Sequence, residues 1–229
     1  MDLLTSSTFW IALLEVIGIN IILSGDNAVV IALAARSLPP QQQRRAIQIG
    51  SGAAVVLRIV LTLVAAKLLQ MPYLEIIGGC LLLWIGAQLL VNEEEIKGVS
   101  KGTSNMLAAV RTILLADLVM SLDNVIAVAA AAKGDTTLLV LGLAISIPLV
   151  IFGSTLIIKI MDRFPWIVTL GAALIGWVAG ETIVSDHVLQ DFVQNYPWVK
   201  YLASAVGAVL VIAWGMLMQQ RIAAKSANA

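Results

Sequence analysis

The sequence predicts an all-α membrane protein with seven transmembrane helices, arranged as two inverted three-helix repeats plus one extra C-terminal helix. Hydrophobic residues make up 60% of the 229 residues and charged residues only 12%, about half the share of charge in a soluble domain. Apolar residues occur in runs of about 20 or more, the length that crosses a bilayer as a helix. The first half of the chain also resembles the second.

The seven predicted spans lie near residues 9–36, 46–69, 73–91, 106–132, 137–160, 166–184 and 199–218. Prolines and glycines fall between them or at their starts, as expected for helix boundaries. Pro148 is the exception, since it lies inside the fifth span and should kink it. No polar stretch is long enough for a soluble domain, so we expect a single transmembrane domain over residues 1–229.

The basic residues predict the orientation in the membrane, because short cytoplasmic loops carry an excess of lysine and arginine. With the N-terminus outside, ten of the 14 basic residues fall on the inner side, three on the outer side, and Arg58 lies within a span. We therefore expect the N-terminus outside and the C-terminus in the cytoplasm.

An internal repeat relates spans one to three to spans four to six. Residues 24–36 read SGDNAVVIALAAR and residues 121–133 read SLDNVIAVAAAAK, with six of 13 positions identical. The third and sixth spans match in proline, glycine and tryptophan positions. Repeat one covers about 9–91 and repeat two about 106–184, and the seventh helix follows at about 199–218. Three helices per copy place the copies in opposite senses, so Asp26 and Asp123 should lie within about 10 Å of each other where the copies meet.

Charged residues inside the predicted spans are the main functional signal. A charge at the bilayer centre costs at least ~2.5 kcal/mol, so such residues face the bundle interior and pair, bind cations or carry protons. Five acids against one base leave most carboxylates without a counter-charge from the protein, so either some are protonated or a cation is bound. The residues are Glu15, Asp26, Asp117, Asp123, Glu181 and Arg58.

Helical spacing places polar side chains on one face of the first and fourth spans. The two faces are formed by Asn20, Ser24 and Asn27, and by Asp117, Ser121 and Asn124. Asp26 and Asp123 point about 100° away from the neighbouring asparagine in an unbroken helix. Either each aspartate contacts another neighbour, or the helix loosens at the Ser-x-Asp-Asn motif and frees carbonyls for a cation. Gly25 favours loosening in the first copy, whereas Leu122 does not help in the second.

The candidate ligands are all oxygen atoms. Asp26 and Asp123 supply carboxylates, with Asp117 and Glu181 as further candidates, and Asn27 and Asn124 supply amides. Such sites suit Mg²⁺, Ca²⁺ and Mn²⁺, whereas Zn²⁺ and copper prefer nitrogen and sulfur. The residue types alone do not choose among the three.

The paired Ser-x-Asp-Asn helices, the seven spans and the Trp177-x-x-x-Glu181 segment closely resemble the TerC family of bacterial membrane proteins, in particular its short YjbE-type branch. The resemblance covers essentially the whole chain and implies a multi-pass protein of the bacterial plasma (inner) membrane. It implies kinship with LysE-type transporters and an association with manganese export and tellurium-resistance gene clusters. It also implies that Asp26 and Asp123 are metal-site acids, with Asn27, Asn124 and Glu181 close by.

We therefore expect a transporter of a divalent cation that exports Mn²⁺ from the cytoplasm in exchange for protons, rather than an enzyme. Its partners would be the metal ion, protons and the lipid bilayer, with no nucleic acid and no permanently bound cofactor. Glu15, Asp117 and Arg58 are candidates for a proton relay or for ion pairs. Two other classes stay open: a non-transporting membrane partner or chaperone for exported proteins, and an intramembrane aspartyl protease. The protease is disfavoured because Leu23 stands where its Gly-x-Gly-Asp motif has glycine.

Overall fold

A computed structural model describes residues 7–68, 71–97, 106–132 and 135–227, and all regular structure in these ranges is helical. The α-helices are α1 (Ser7–Leu23), α2 (Gly25–Arg36), α3 (Pro40–Leu68), α4 (Leu74–Lys97), α5 (Met106–Ala131), α6 (Thr136–Arg163), α7 (Trp166–Ser185), α8 (Gln190–Asn195) and α9 (Trp198–Ala227). A short 3₁₀ turn, His187–Leu189, precedes α8. The predicted spans correspond to α1 with α2, then α3, α4, α5, α6, α7 and α9.

The helices have the length and apolarity of membrane spans. Within the described ranges, five single helices are long and apolar enough to cross a membrane, and the bent pair α1–α2 brings the number to six. The predicted fourth span is the 26-residue helix α5, which is not among these six. Large apolar side chains lie on the surface, such as Ile22 with 80% exposure. An apolar surface of this kind is what a lipid-facing helix presents.

The first predicted span is broken at Ser24. Helices α1 and α2 meet there at a bend of 50°. The backbone amide of Ser24 donates a hydrogen bond of 3.2 Å to the Ile21 carbonyl, which closes a tight turn. Gly25 begins α2, and glycine has a low helix propensity. Helix α5, by contrast, runs without interruption through residues 121–124. The loosening considered for both motifs therefore occurs in the first copy alone.

Helix pairing brings the two halves of the sequence together. Helix α1 packs on α6, α3 packs on α5, and α4 packs on α7, while α2 fills the space between α5 and α6. The largest apolar core contains side chains from α2, α4, α5 and α7, including Ile31, Leu82, Ala116 and Ile175. Helix α9 lies against both α4 and α7.

A seam of small residues joins α7 to α9. A Cβ atom added at Gly180 would lie 2.1 Å from the Ala203 carbonyl oxygen, and one at Gly207 would lie 2.1 Å from the Gly176 carbonyl oxygen. The two backbones therefore touch, which only glycine permits here. Three small residues spaced four apart on α7, Ala172, Gly176 and Gly180, therefore pack within the chain.

Asp186 ties the end of α7 to the start of α4. Its carboxylate accepts hydrogen bonds from the backbone amides of Tyr73 (3.2 Å), Glu75 (3.1 Å) and Ile76 (3.3 Å), and from Val188 (3.0 Å). Burial alone would raise the pKa of Asp186, but the four amide donors outweigh it and lower this pKa below its ordinary value of 3.8. The ionised carboxylate thus serves as a cap for the N-terminus of α4.

Candidate functional site

Arg58 stands at the centre of a buried polar cluster between α1, α3 and α5. Its side chain is 5% exposed and its Nη2 lies 2.6 Å from Oδ1 of Asp117, whose side chain is 6% exposed. A buried charge of this kind is stable only when it is paired and hydrogen-bonded. The expected ion pair of Arg58 is therefore present, and its partner is Asp117.

The remaining guanidinium donors reach neutral oxygens. Arg58 Nη1 donates to Asn20 Oδ1 at 2.7 Å and to Ser24 Oγ at 3.1 Å, and its Nε donates to Ser121 Oγ at 3.0 Å. Ser121 Oγ in turn donates to Asp117 Oδ2 at 3.2 Å. We call these five residues the Arg58 cluster: Asn20, Ser24, Arg58, Asp117 and Ser121.

The broken span contributes directly to the cluster. Ser24 lies at the break, and Asn20 lies one turn before it, where its amide nitrogen makes a short hydrogen bond to the Ser146 hydroxyl of α6. Across the break, the Asn124 side chain of α5 donates to the Leu23 carbonyl at 3.1 Å. The second Ser-x-Asp-Asn motif therefore contacts the residue that directly precedes the first motif, at the point where the first span is interrupted.

A small cavity of about 20 Å³ adjoins the cluster. This volume is enough for one water molecule or one small ion. Asn27 and Ser51 line it, and both are only 3% exposed. Within the described residues, neither the side-chain amide of Asn27 nor the Ser51 hydroxyl has a hydrogen-bond partner. Buried polar atoms normally have partners, and the cavity offers these atoms to one water molecule or one small ion.

The predicted metal residues occupy different places in the structure. Asn27 lines the cavity, and Asn124 contacts the helix break. Asp26 is half-buried in the first turn of α2, where its Oδ1 accepts a hydrogen bond from the backbone amide of Asn27 at 2.8 Å. The backbone of Asp123 belongs to α5, but its side chain lies outside the described part of the structure.

Glu181 and Glu15 lie away from the lining of the cavity. The Glu181 carboxylate contacts Nζ of Lys200 on α9 at 2.8 Å, with about one third of its side chain exposed. Glu15 is exposed on α1. The Arg58 cluster therefore includes Asp117 but neither of these two acids.

Two residues of the site, Ser51 and Ser146, are absent from the sequence-based prediction. Ser51 lies seven residues before Arg58 on α3, so two helical turns place both on one face, and this spacing could have identified it. Ser146 lies two residues before Pro148 and has no charged residue on its own helix face to indicate it. Isolated serines in apolar helices commonly bond their own backbone, as the Ser146 hydroxyl also does with Leu143.

The site offers oxygen atoms and one balanced pair of charges. Within the described ranges, no group of three or more histidine, cysteine, aspartate or glutamate side chains is close enough to hold a metal ion. A cation would instead meet the amide oxygen of Asn27, the hydroxyl of Ser51 and the carboxylate of Asp117 around the cavity. Ligands of this type suit a hard cation.

The fold and site define an integral membrane protein with a charged polar cluster buried beside a broken helix. The family model for the integral membrane protein TerC family matches residues 5–223. The chain belongs to the TerC family.

Similar proteins come from Bacillus subtilis and Escherichia coli. The uncharacterized membrane protein YjbE of Bacillus subtilis is 43% identical over 93% of this chain and 97% of its own length. The uncharacterized membrane protein YkoY of the same organism is 25% identical over 90% of this chain and 72% of its own. The inner membrane protein YoaE of Escherichia coli is 25% identical over 93% of this chain but 43% of its own. No solved structure matches the chain.

Proposed function

We propose that the protein is a secondary transporter that moves a divalent metal cation, Mn²⁺, out of the cytoplasm in exchange for protons. The observation that carries this proposal is the Arg58 cluster with its adjoining cavity, because buried charges within membrane spans are costly and typically mark the path of an ion or substrate. Membership of the TerC family supports a membrane function of this kind.

The break at Ser24 supports ion binding. Discontinuous membrane helices expose carbonyl groups that can coordinate a cation, and they are tolerated where they line a cavity. Here the Leu23 carbonyl accepts a hydrogen bond from the side-chain amide of Asn124, across the interface between α1 and α5. This contact joins the second motif to the residue that precedes the first one, beside the helix break.

The pairing of helices supports an inverted repeat. A two-fold axis in the membrane plane pairs the first helix of one copy with the second helix of the other, and the two third helices with each other. The contacts of α1 with α6, of α3 with α5, and of α4 with α7 follow this pattern. An ion site of an inverted-repeat transporter forms where the copies meet.

Asp26, Asn27, Asp123 and Asn124 are the proposed metal ligands, each through a side-chain oxygen. Of these, Asn27 lines the cavity beside the Arg58 cluster, whereas Asp26 and Asn124 are not among the lining residues. Glu181 would join them only after its pair with Lys200 separates. The oxygen ligands favour a hard divalent cation, and the choice of Mn²⁺ among such cations rests on the resemblance of the sequence to TerC proteins.

Export of a divalent cation needs a source of energy. Moving two charges against an inside-negative potential costs about 4.6 kcal/mol at 100 mV. The sequence contains no Gly-x-x-x-x-Gly-Lys-Ser/Thr motif for ATP. Protons are the proposed coupling ion, because carboxylates that lose a metal ion in a desolvated site readily take a proton.

Flux measurements in proteoliposomes test the proposal. Purified protein should move Mn²⁺, and a pH gradient should accelerate the flux. The Asp26→Asn and Asp123→Asn variants keep the size of the side chain but remove its charge, so each should abolish transport while the protein stays folded. Asp191→Asn, in exposed α8, is the matched control and should transport normally.

The proposal fails if a folded Asp26→Asn, Asp123→Asn double variant retains full Mn²⁺ flux. Absence of flux of any divalent cation by the wild type would instead favour a non-transporting membrane partner. Testing Mn²⁺, Mg²⁺ and Ca²⁺ separately decides which ion is the substrate.

A further inference from the structure

We propose that Arg58 is a built-in competitor of the transported cation: its guanidinium fills an oxygen-lined cation site and must release Asp117 before a small hard cation binds there. This inference rests on the proposed function and deepens it, because it names the residue that controls occupancy of the ion path. It concerns Arg58, Asp117 and the cavity beside them.

The acceptors around Arg58 are the first support. All four atoms that receive its hydrogen bonds are oxygens, at 2.6–3.1 Å: one carboxylate, one amide and two hydroxyls. They come from α1, from the break between α1 and α2, and from α5, so they converge on one point from different elements. A small hard cation uses the same kinds of ligand.

The cavity is the second and independent support. Asn27 and Ser51 point unpartnered polar atoms into a space of about 20 Å³, and Asn20, Ser24 and Asp117 line the same space. Three residues of the Arg58 cluster therefore face both the guanidinium and the cavity. A cation in the cavity could be coordinated by the side-chain oxygen of Asn27 and by the Ser51 hydroxyl. When Arg58 moves away, the Asp117 carboxylate becomes available as a further ligand.

Charge makes the two occupants mutually exclusive. With Arg58 paired to Asp117, the buried cluster is neutral, so an added cation would be an unpaired charge beside a positive guanidinium in a region of low dielectric. Arginine does not lose its proton in proteins, so it can yield only by moving. The ion pair thus keeps the site closed and neutral when no cation is bound.

This competition predicts a response to cations that an ordinary structural ion pair lacks. Arg58→Ala leaves the Asp117 carboxylate buried without its partner, which should destabilise the protein in the absence of added cation. Mn²⁺ should then restore the Tm of Arg58→Ala by several degrees while shifting the wild-type Tm less. The double variant Arg58→Ala, Asp117→Asn should lose this extra response.

The measurement is thermal unfolding of the purified full-length protein in detergent, with a chelator, Mn²⁺, Mg²⁺ or Na⁺. Arg111→Ala, an exposed arginine on α5, is the matched control and should respond as the wild type does. The inference is overturned if Arg58→Ala responds to cations no more than the wild type, or if the double variant keeps the response.

Arg58→Lys decides the matter if Arg58→Ala does not fold. Lysine keeps the charge but cannot bond to all four oxygens at once, so it competes less well, and Mn²⁺ should bind about tenfold more tightly than to the wild type. Electron paramagnetic resonance of free Mn²⁺ measures this affinity directly. Equal or weaker binding by Arg58→Lys contradicts the inference. Because binding is measured without transport, failure of the proposed function would appear separately, as absent flux in proteoliposomes.

Discussion

At the scale of the residue, the site depends on side chains that satisfy groups set free by the helix break. The Leu23 carbonyl lies at the end of α1, and the Asn124 amide reaches it from α5 at 3.1 Å. The contact joins two helices that are 101 residues apart in sequence at this point. Asn124 therefore has a structural role in addition to its proposed role at the metal.

Asn124→Ala should destabilise the protein, because it leaves the Leu23 carbonyl without its donor. The expected loss is about 1–2 kcal/mol, the usual cost of an unsatisfied buried polar group, and it would appear as a lower Tm in detergent. Asn195→Ala is the matched control, because Asn195 also donates to a backbone carbonyl, that of Asp191, but at an exposed position. Equal effects of the two substitutions would contradict the role of Asn124.

Much of the Arg58 cluster could be predicted from sequence, for a simple reason. Helical spacing places Asn20 with Ser24, and Asp117 with Ser121, on inward faces whatever the tertiary fold. The pairing of Arg58 with Asp117 rather than with Asp26 depends on how α3 packs against α5, which spacing along one helix does not contain. The contact of Glu181 with Lys200 likewise follows from the position of α9, which has no counterpart in the repeat.

At the scale of the element, the sequence predicted the long helices, whereas the break inside the first span was one of two interpretations left open and the short helix α8 was not predicted. Runs of apolar residues located α6 and α7 to within three residues, since length and hydropathy fix them. Helix α3 begins six residues before its predicted span, and α4 and α9 end six and nine residues beyond theirs, because these helices continue into polar sequence. The two motifs differ in the residue after serine, and this difference already favoured a break in the first copy rather than in the second. The difference follows from one residue, because Gly25 in the first motif replaces the good helix former Leu122 of the second.

The seam between α7 and α9 predicts a large effect of one methyl group. Gly180→Ala would place a Cβ against the backbone oxygen of Ala203, which cannot rotate away, so the helices must separate at a cost of about 1–3 kcal/mol. Gly18→Ala in α1 is the matched control, because no atom lies within 4 Å of its added Cβ. It should leave Tm unchanged or raise it slightly through higher helix propensity. A Gly180→Ala protein as stable as Gly18→Ala would refute the seam.

The cap on α4 predicts a dependence of stability on pH. The pKa of Asp186 is lowered in the folded protein, so its contribution is fully present above the ordinary value of 3.8 and is lost as the pH falls through the lowered value. Asp186→Asn should lower stability at neutral pH by on the order of 2 kcal/mol, because charged hydrogen bonds are lost. It should also weaken the acid dependence, measured as Tm against pH. Asp191→Asn, exposed on α8, should change neither.

At the scale of the whole molecule, the orientation in the membrane stays a prediction from the basic residues. It places the turn before α3 in the cytoplasm and the α8 segment outside. In a Cys80→Ser background, Asn195→Cys should react with an impermeant maleimide added to intact spheroplasts. Gln41→Cys should react only after permeabilisation. Both chosen positions are exposed, so the opposite labelling pattern would reverse the predicted topology.

Helix α9 has a consequence for the transport cycle proposed here. An inverted repeat interconverts its inward-open and outward-open forms by exchanging the conformations of its two copies, and perfect symmetry would make these forms equal in free energy. Helix α9 packs along a glycine seam on α7 of the second copy and also contacts α4 of the first copy. Its contacts with the two copies are therefore different. The resting population of the carrier should therefore favour one side of the membrane, and weakening the seam should shift that population before it unfolds the protein.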